Sequence, residues 1–133
     1  MAYEHLLFEQ ADGVAIITLH RPNVLNALSM PLTLELDEAI SRCEEDDEVK
    51  AIIITGAGEK AFSAGADIHE MAELSQEELA QRGQRRGEAT WHMATCRKPV
   101  IGALNGLAYG GGALLASTFD IRFGCERTRF RFL

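Results

Sequence analysis

The sequence predicts an α/β fold, and three observations carry that reading. Short apolar, largely β-branched runs, Ala51–Thr55 and Val100–Leu104, each stop at glycine turns, as buried strands do when they deliver a loop to one edge of a sheet. Between them lie longer segments with apolar residues at helical spacing, each preceded by a residue that caps helices, Ser29 or Ser75. The chain also opens on two alternating segments around Ala11-Asp12-Gly13, a turn of hairpin type. The 133 residues contain no repeat, low-complexity stretch or interdomain linker, so residues 1–133 read as one domain with a real core.

Tyr3–Gln10 and Val14–Leu19 form the opening hairpin, and Arg21-Pro22-Asn23 then breaks the pattern, because proline and its predecessor resist helix. Ser29 caps a helix running to about Cys43, with Leu32, Leu36, Ile40 and Cys43 on one face. The acidic run Glu44–Glu48 reads as a solvated helix end; it lacks the glycine and alternating ligands of a calcium loop. After the strand Ala51–Thr55 come two small-residue turns, Gly56-Ala57-Gly58 and Ala64-Gly65-Ala66-Asp67. Ser75-Gln-Glu-Glu78 has the form of a capping box opening a helix to about Thr95, which Gly83 and Gly87 weaken. Arg82, Arg85 and Arg86 crowd one turn of it, either as a solvated face or as a contact for an acidic ligand or a neighbouring subunit. Lys98-Pro99 leads into Val100–Leu104, and Asn105-Gly106 turns the chain. Gly110-Gly-Gly112 then opens a short apolar helix from Ala113 to about Phe119, and Asp120–Gly124 and Arg129 onward read as two more short strands.

Composition excludes several classes. A net charge of −7 implies no basic surface for nucleic acid. Three widely spaced cysteines without a C-x-x-C pair fit a reducing cytoplasm better than a disulfide framework or a zinc site. The polar start predicts no signal peptide, and no apolar run is long enough to span a membrane. Gly56-Ala-Gly58-Glu-Lys-Ala61 matches the dinucleotide pattern G-x-G-x-x-A, yet no helix start follows it. Lys60 is followed by Ala61, so no Walker A motif is present.

Two strands that each deliver a bare-backbone turn can place two N–H groups on one small target, and that is how an oxyanion hole is built. Glycine lets the backbone approach a ligand with no Cβ between them, and a helix N-terminus after Gly112 adds partial positive charge. Lys60-Ala-Phe-Ser-Ala-Gly-Ala-Asp-Ile68 and Lys98-Pro-Val-Ile-Gly-Ala-Leu-Asn-Gly-Leu-Ala-Tyr-Gly-Gly-Gly112, in this order and at this separation, resemble the crotonase (enoyl-CoA hydratase/isomerase) superfamily. Arg21-Pro-Asn-Val-Leu-Asn-Ala27 resembles that family's first CoA-contacting loop, and the match runs from Tyr3 to Phe130.

The resemblance implies a crotonase-like repeated ββα superhelix. It implies a full-length enzyme of lyase or isomerase type that processes acyl-CoA thioesters in fatty acid metabolism by stabilising a thioester enolate. The oxyanion-hole donors would be the amides of Ala66 and Gly111. Asn26, Ala27, Ala64, Ala66, Asp67, Ile68, His69 and Gly111 would line the CoA and substrate site. No metal is implied and no cofactor beyond the CoA that arrives with the substrate. A homo-oligomer, trimer or hexamer, is implied for the full-length protein, in the cytoplasm. A non-catalytic acyl-CoA-binding fragment or degenerate homologue is the alternative.

Domains of that family are about twice this long, and Arg129-Phe-Arg-Phe-Leu133 alternates like the middle of a strand, so a truncated, N-terminal half is expected. The sequence departs from its family at the acid–base positions. Leu114 stands where family hydratases carry a catalytic glutamate, a second family glutamate would align just past Leu133, and the identity of any acid or base is left open. Leucine can neither give nor take a proton, which tilts the expectation from hydratase towards isomerase or another branch. Asp67 is expected to cap the short helical turn it begins, and Glu70 and His69 to face solvent. His92 is expected at a surface or interface, and Asp120 in a structural role.

Overall fold

The computed structural model describes residues 2–132. Strands β1 (Leu6–Ala11) and β2 (Val14–Leu19) pair antiparallel, with Leu6 opposite Leu19 and Ala11 opposite Val14. The two-residue turn between them places Asp12 at φ 53° and Gly13 at φ 83°, the left-handed pair whose twist matches a hairpin. The strand expected from Tyr3 starts at Leu6.

Strands β3 (Ala51–Gly56), β5 (Val100–Leu104) and β7 (Ile121–Gly124) extend this sheet in parallel, giving the order β1-β2-β3-β5-β7. A second, fully parallel sheet holds β4 (Ala61–Ser63), β6 (Leu107–Tyr109) and β8 (Arg129–Arg131). The chain therefore visits the large sheet, then the small one, in each of three successive strand pairs, and helices follow the first two. This is the expected ββα repeat. Ala61–Ser63 and Leu107–Tyr109 were not among the strands expected from the sequence; three residues are too few to show alternation, and only their mutual pairing makes them strands.

Helix α1 (Met30–Glu45) is capped as expected, with Ser29 Oγ accepting from Leu32 N at 3.3 Å. Its buried stripe is Leu32, Leu36, Ile40 and Cys43. A single turn, α2 (Ile68–Met71), begins at Asp67, whose Oδ1 accepts from His69 N and Glu70 N at 3.1 Å each. Helix α3 (Gln76–Ala94) opens on the full capping box, Ser75 and Glu78 bonding each other's backbone N–H. Helix α4 (Gly111–Ser117) begins two residues earlier than expected, inside the glycine triplet.

The core lies between the large sheet and α1, around Ile17, Leu19, Leu32, Ile40, Ile52, Ile54 and Val100, with Phe62 of β4 packed edge-on against Phe119 at 5.9 Å. The described residues contain no helix long and apolar enough to cross a membrane. All three cysteines are free, and burial pushes the Cys43 thiol up to about 11.

Candidate active site

The two glycine loops meet. Gly65, between β4 and α2, has φ 97°, and a Cβ there would sit 2.7 Å from Tyr109 O and 2.9 Å from Gly111 N. Only a residue without a side chain fits both the conformation and the gap. Gly112 is equally confined, because a Cβ on it would overlap Ser63 O. These close approaches lock the start of α4 onto the end of β4 and bring the backbone around Ala66 to that around Gly111.

Leu28 N donates to Gly65 O at 2.7 Å, and Leu28 and Ala66 form a parallel bridge. In such a bridge the flanking residues bond to the partner, so the N–H of Ala66 itself points away from Leu28. Neither Ala66 N–H nor Gly111 N–H has a protein acceptor among the described residues. Two unmatched backbone donors on adjoining loops can serve one carbonyl oxygen.

The Arg21–Ala27 segment buttresses the first loop. It makes a short 3-10 turn, Pro22–Val24, and then puts Leu25 and Asn26 at φ 55° and 54°. Asn26 is fully buried: its Oδ1 accepts from Arg21 N at 2.9 Å and its Nδ2 donates to Ala57 O and Ala61 O, both at 3.0 Å. Arg21 donates to Ala27 O at 2.7 Å and pairs with Asp67 Oδ2 at 3.1 Å. Ser63 Oγ donates to Asn26 O at 2.8 Å and accepts from Gly65 N at 3.1 Å. The N–H of Glu70, against the opposing effect of burial, together with Arg21 holds the Asp67 carboxyl below its usual range. Asp67 is thus an ionised cap and strut.

Of the residues named from the sequence, Ala64, Ala66, Asp67 and Gly111 are half-buried around the junction, Ala27 is buried beside it, and Ile68 and His69 are exposed at the start of α2. Asn26 lies behind the loop, with its amide engaged by backbone. Glu70, expected to face solvent, instead accepts from Met30 N with both oxygens at 3.1 Å and pairs with Arg82 at 3.3 Å. The arginine cluster is no simple solvated face either, since Arg82 is buried, Arg85 pairs with Asp37 at 2.6 Å, and Arg86 lies against Gly111. Asp120 is structural as expected, its Oδ2 accepting from Val100 N at 2.8 Å.

A cleft of about 670 Å³ opens beside Gly111, between α3 and the start of α4. Leu114 lines it, half exposed, and Gly83, Arg86, Gly87 and Trp91 form its α3 side. The cleft has apolar walls and one guanidinium, with no carboxylate among its lining residues. No group of three or more His, Cys, Asp or Glu is placed to hold a metal among the described residues.

Comparison with known proteins places this geometry in context. The family model described as Enoyl-CoA hydratase/isomerase matches residues 9–132. The short-chain-enoyl-CoA hydratase of Clostridium acetobutylicum is 42% identical over 130 residues, covering 98% of this chain and 50% of that protein. The crotonyl-CoA hydratase of Syntrophomonas wolfei subsp. wolfei is 38% identical over 130 residues, again with 98% and 50% covered. Among solved structures, an enoyl-CoA hydratase from Bacillus anthracis superposes with a TM-score of 0.92 at 33% identity, over 96% of this chain and 50% of that one. An enoyl-CoA hydratase/isomerase from Xanthobacter autotrophicus Py2 superposes with a TM-score of 0.91 at 32% identity, over 97% and 49%. The chain spans about half the length of these relatives.

Proposed function

The chain belongs to the enoyl-CoA hydratase/isomerase family, and from that premise we propose that it binds acyl-CoA thioesters with the carbonyl oxygen between the amides of Ala66 and Gly111. The observation that supports the reading is the close approach of Gly65 to Gly111, which brings together the two loops that carry these amides. Negative charge develops on the thioester oxygen when the α-carbon loses a proton or the conjugated double bond is attacked. Fixed donors stabilise that enolate, and removal of one such donor costs about 2.7–4 kcal/mol where it has been measured. On this reading the protein is an acyl-CoA-processing lyase or isomerase of fatty acid metabolism. It uses no cofactor beyond the CoA of its substrate and assembles as a homo-oligomer.

Leu114 supports a narrower version. A half-exposed leucine in the cleft wall supplies no proton transfer, so within this chain the site binds and polarises its ligand while the acid–base work falls to other groups. Binding without turnover by residues 1–133 alone is the corresponding second reading.

Calorimetry with butyryl-CoA tests the proposal. The chain is expected to bind, and Gly65→Ala, which wedges a Cβ between the two loops, is expected to weaken binding at least about tenfold. Failure of the parent chain to bind, or equal binding by a folded Gly65→Ala variant, would sink it.

A further inference from the structure

One charged group in the cleft is unmatched. Arg82 is 7% exposed and is satisfied by Glu70 at 3.3 Å and Leu28 O at 3.0 Å. Arg85 pairs with Asp37 at 2.6 Å and Glu88 at 3.8 Å. Arg86, next to both in sequence or one turn away, has no carboxylate within ion-pair distance and no acceptor for its guanidinium among the described residues. Its guanidinium crosses in front of Gly111, where a Cβ would overlap Nη2. Burial first, and the neighbouring Arg82 charge second, push its pKa down, so both its surroundings and its neighbour oppose a charge that guanidinium nonetheless keeps.

The space around that charge is built for a ligand rather than for another side chain of the same helix. Gly83, Arg86, Gly87 and Trp91 share one face of α3 at spacings of three and four, and all line the cleft. Nothing lies within 4 Å of a Cβ at Gly83 or at Gly87, so the helix surface beside the guanidinium is bare. Trp91 and Leu114 supply exposed apolar wall. An apolar cleft with a single unmatched guanidinium complements a short apolar chain that carries an anion, because arginine binds carboxylate through two parallel charge-assisted bonds.

We infer that Arg86 selects acyl thioesters whose acyl group bears a carboxylate of its own, and that this second carboxylate docks on the guanidinium beside Gly111. The inference rests on the cleft being the acyl-thioester site. The closeness of Arg86 to Gly111 fixes the separation: the anion lies only a few bonds from the thioester carbonyl, as in a monothioester of a short dicarboxylic acid. Unsubstituted acyl groups of equal length would enter the same cleft and leave the charge unmatched.

The test compares matched pairs by calorimetry at low salt, succinyl-CoA against butyryl-CoA and glutaryl-CoA against pentanoyl-CoA. In one pair or both, the carboxylated thioester is expected to bind about tenfold tighter or more. Arg86→Met should collapse that ratio towards one, and Arg86→Lys should keep part of it. If Arg86→Met does not fold, the parent's own ratio decides, since a charge-based preference must shrink as salt rises. Equal binding within both pairs, or a ratio that survives Arg86→Met, would overturn the inference while leaving the acyl-thioester reading intact. Binding of none of the four thioesters would remove that reading and the inference together.

Discussion

Asn26 shows how the site depends on side chains that need not touch a ligand. The sequence places an asparagine in a proline-initiated loop, and family resemblance assigns that loop to the ligand. What the sequence could not show is the left-handed backbone at Leu25 and Asn26, which turns the amide inward onto Ala57 O, Ala61 O and Arg21 N. Loss of these buried bonds leaves several polar groups unpaired, so Asn26→Ala is expected to destabilise the chain by about 2–4 kcal/mol in urea titration. A change below about 1 kcal/mol would contradict that accounting. Gly65 was legible as a turn residue, but its role as the point of contact with Gly111 depends on a neighbour more than forty residues away. Leu114 is half exposed, so Leu114→Glu should shift stability by no more than about 0.5 kcal/mol while adding a proton-transfer group to the cleft. Exchange of the α-protons of bound butyryl-CoA into deuterated water, followed by NMR, should rise in that variant; a rate equal to the parent's would argue against Leu114 lying beside the thioester.

At the scale of elements, the helices with explicit caps were legible from sequence, since Ser29 and the Ser75/Glu78 box announce α1 and α3 by local chemistry alone. How the two helices join was not. His92 of α3 bridges Asp37 and Glu44 of α1 through its two ring nitrogens, and Arg85 and Arg97 add to the same carboxylates. Burial works against the charged imidazole, but the bonds to Asp37 and Glu44 outweigh it and raise the His92 pKa. Burial likewise works against both carboxylates, and bonds from Arg85 and His92 to Asp37, and from His92 and Arg97 to Glu44, lower them below their usual range. A raised histidine contributes stability that is complete below its unfolded pKa near 6.5 and is lost as pH rises through its folded value. Lowered carboxylates contribute stability present above about pH 4 and lost as pH falls through their folded values. The α1–α3 junction is therefore expected to be firmest between about pH 4.5 and 6, and the melting temperature should fall from pH 6 to pH 8. His92→Asn should flatten that fall; a parent chain whose melting temperature is level over this range would contradict the bridge.

For the whole molecule, the strands of the large sheet were legible from short apolar runs that stop at turn residues, and the ββα repeat came from the family resemblance. The small sheet was not legible, its strands being three residues each and defined only by one another. The strands that finish both sheets, β7 and β8, leave Ile121, Phe123 and Phe130 at least half exposed, and Phe132 just after β8 is exposed too. Apolar strands of this kind are prone to associate. Light scattering of residues 1–133 is expected to show concentration-dependent association, reduced by Phe123→Lys with Phe130→Lys. A clean monomer at every concentration would contradict the expectation.

The central claim is that the Ala66 and Gly111 amides together polarise a thioester carbonyl, and the carbonyl itself reports this. The most direct measurement is the 13C resonance of butyryl-CoA labelled at the thioester carbon, free and bound. Two donors on the oxygen withdraw electron density from the carbon, so a downfield shift on binding is predicted, and its loss in Gly65→Ala. A bound thioester with an unshifted carbonyl, in a chain whose fold is intact, would contradict the account.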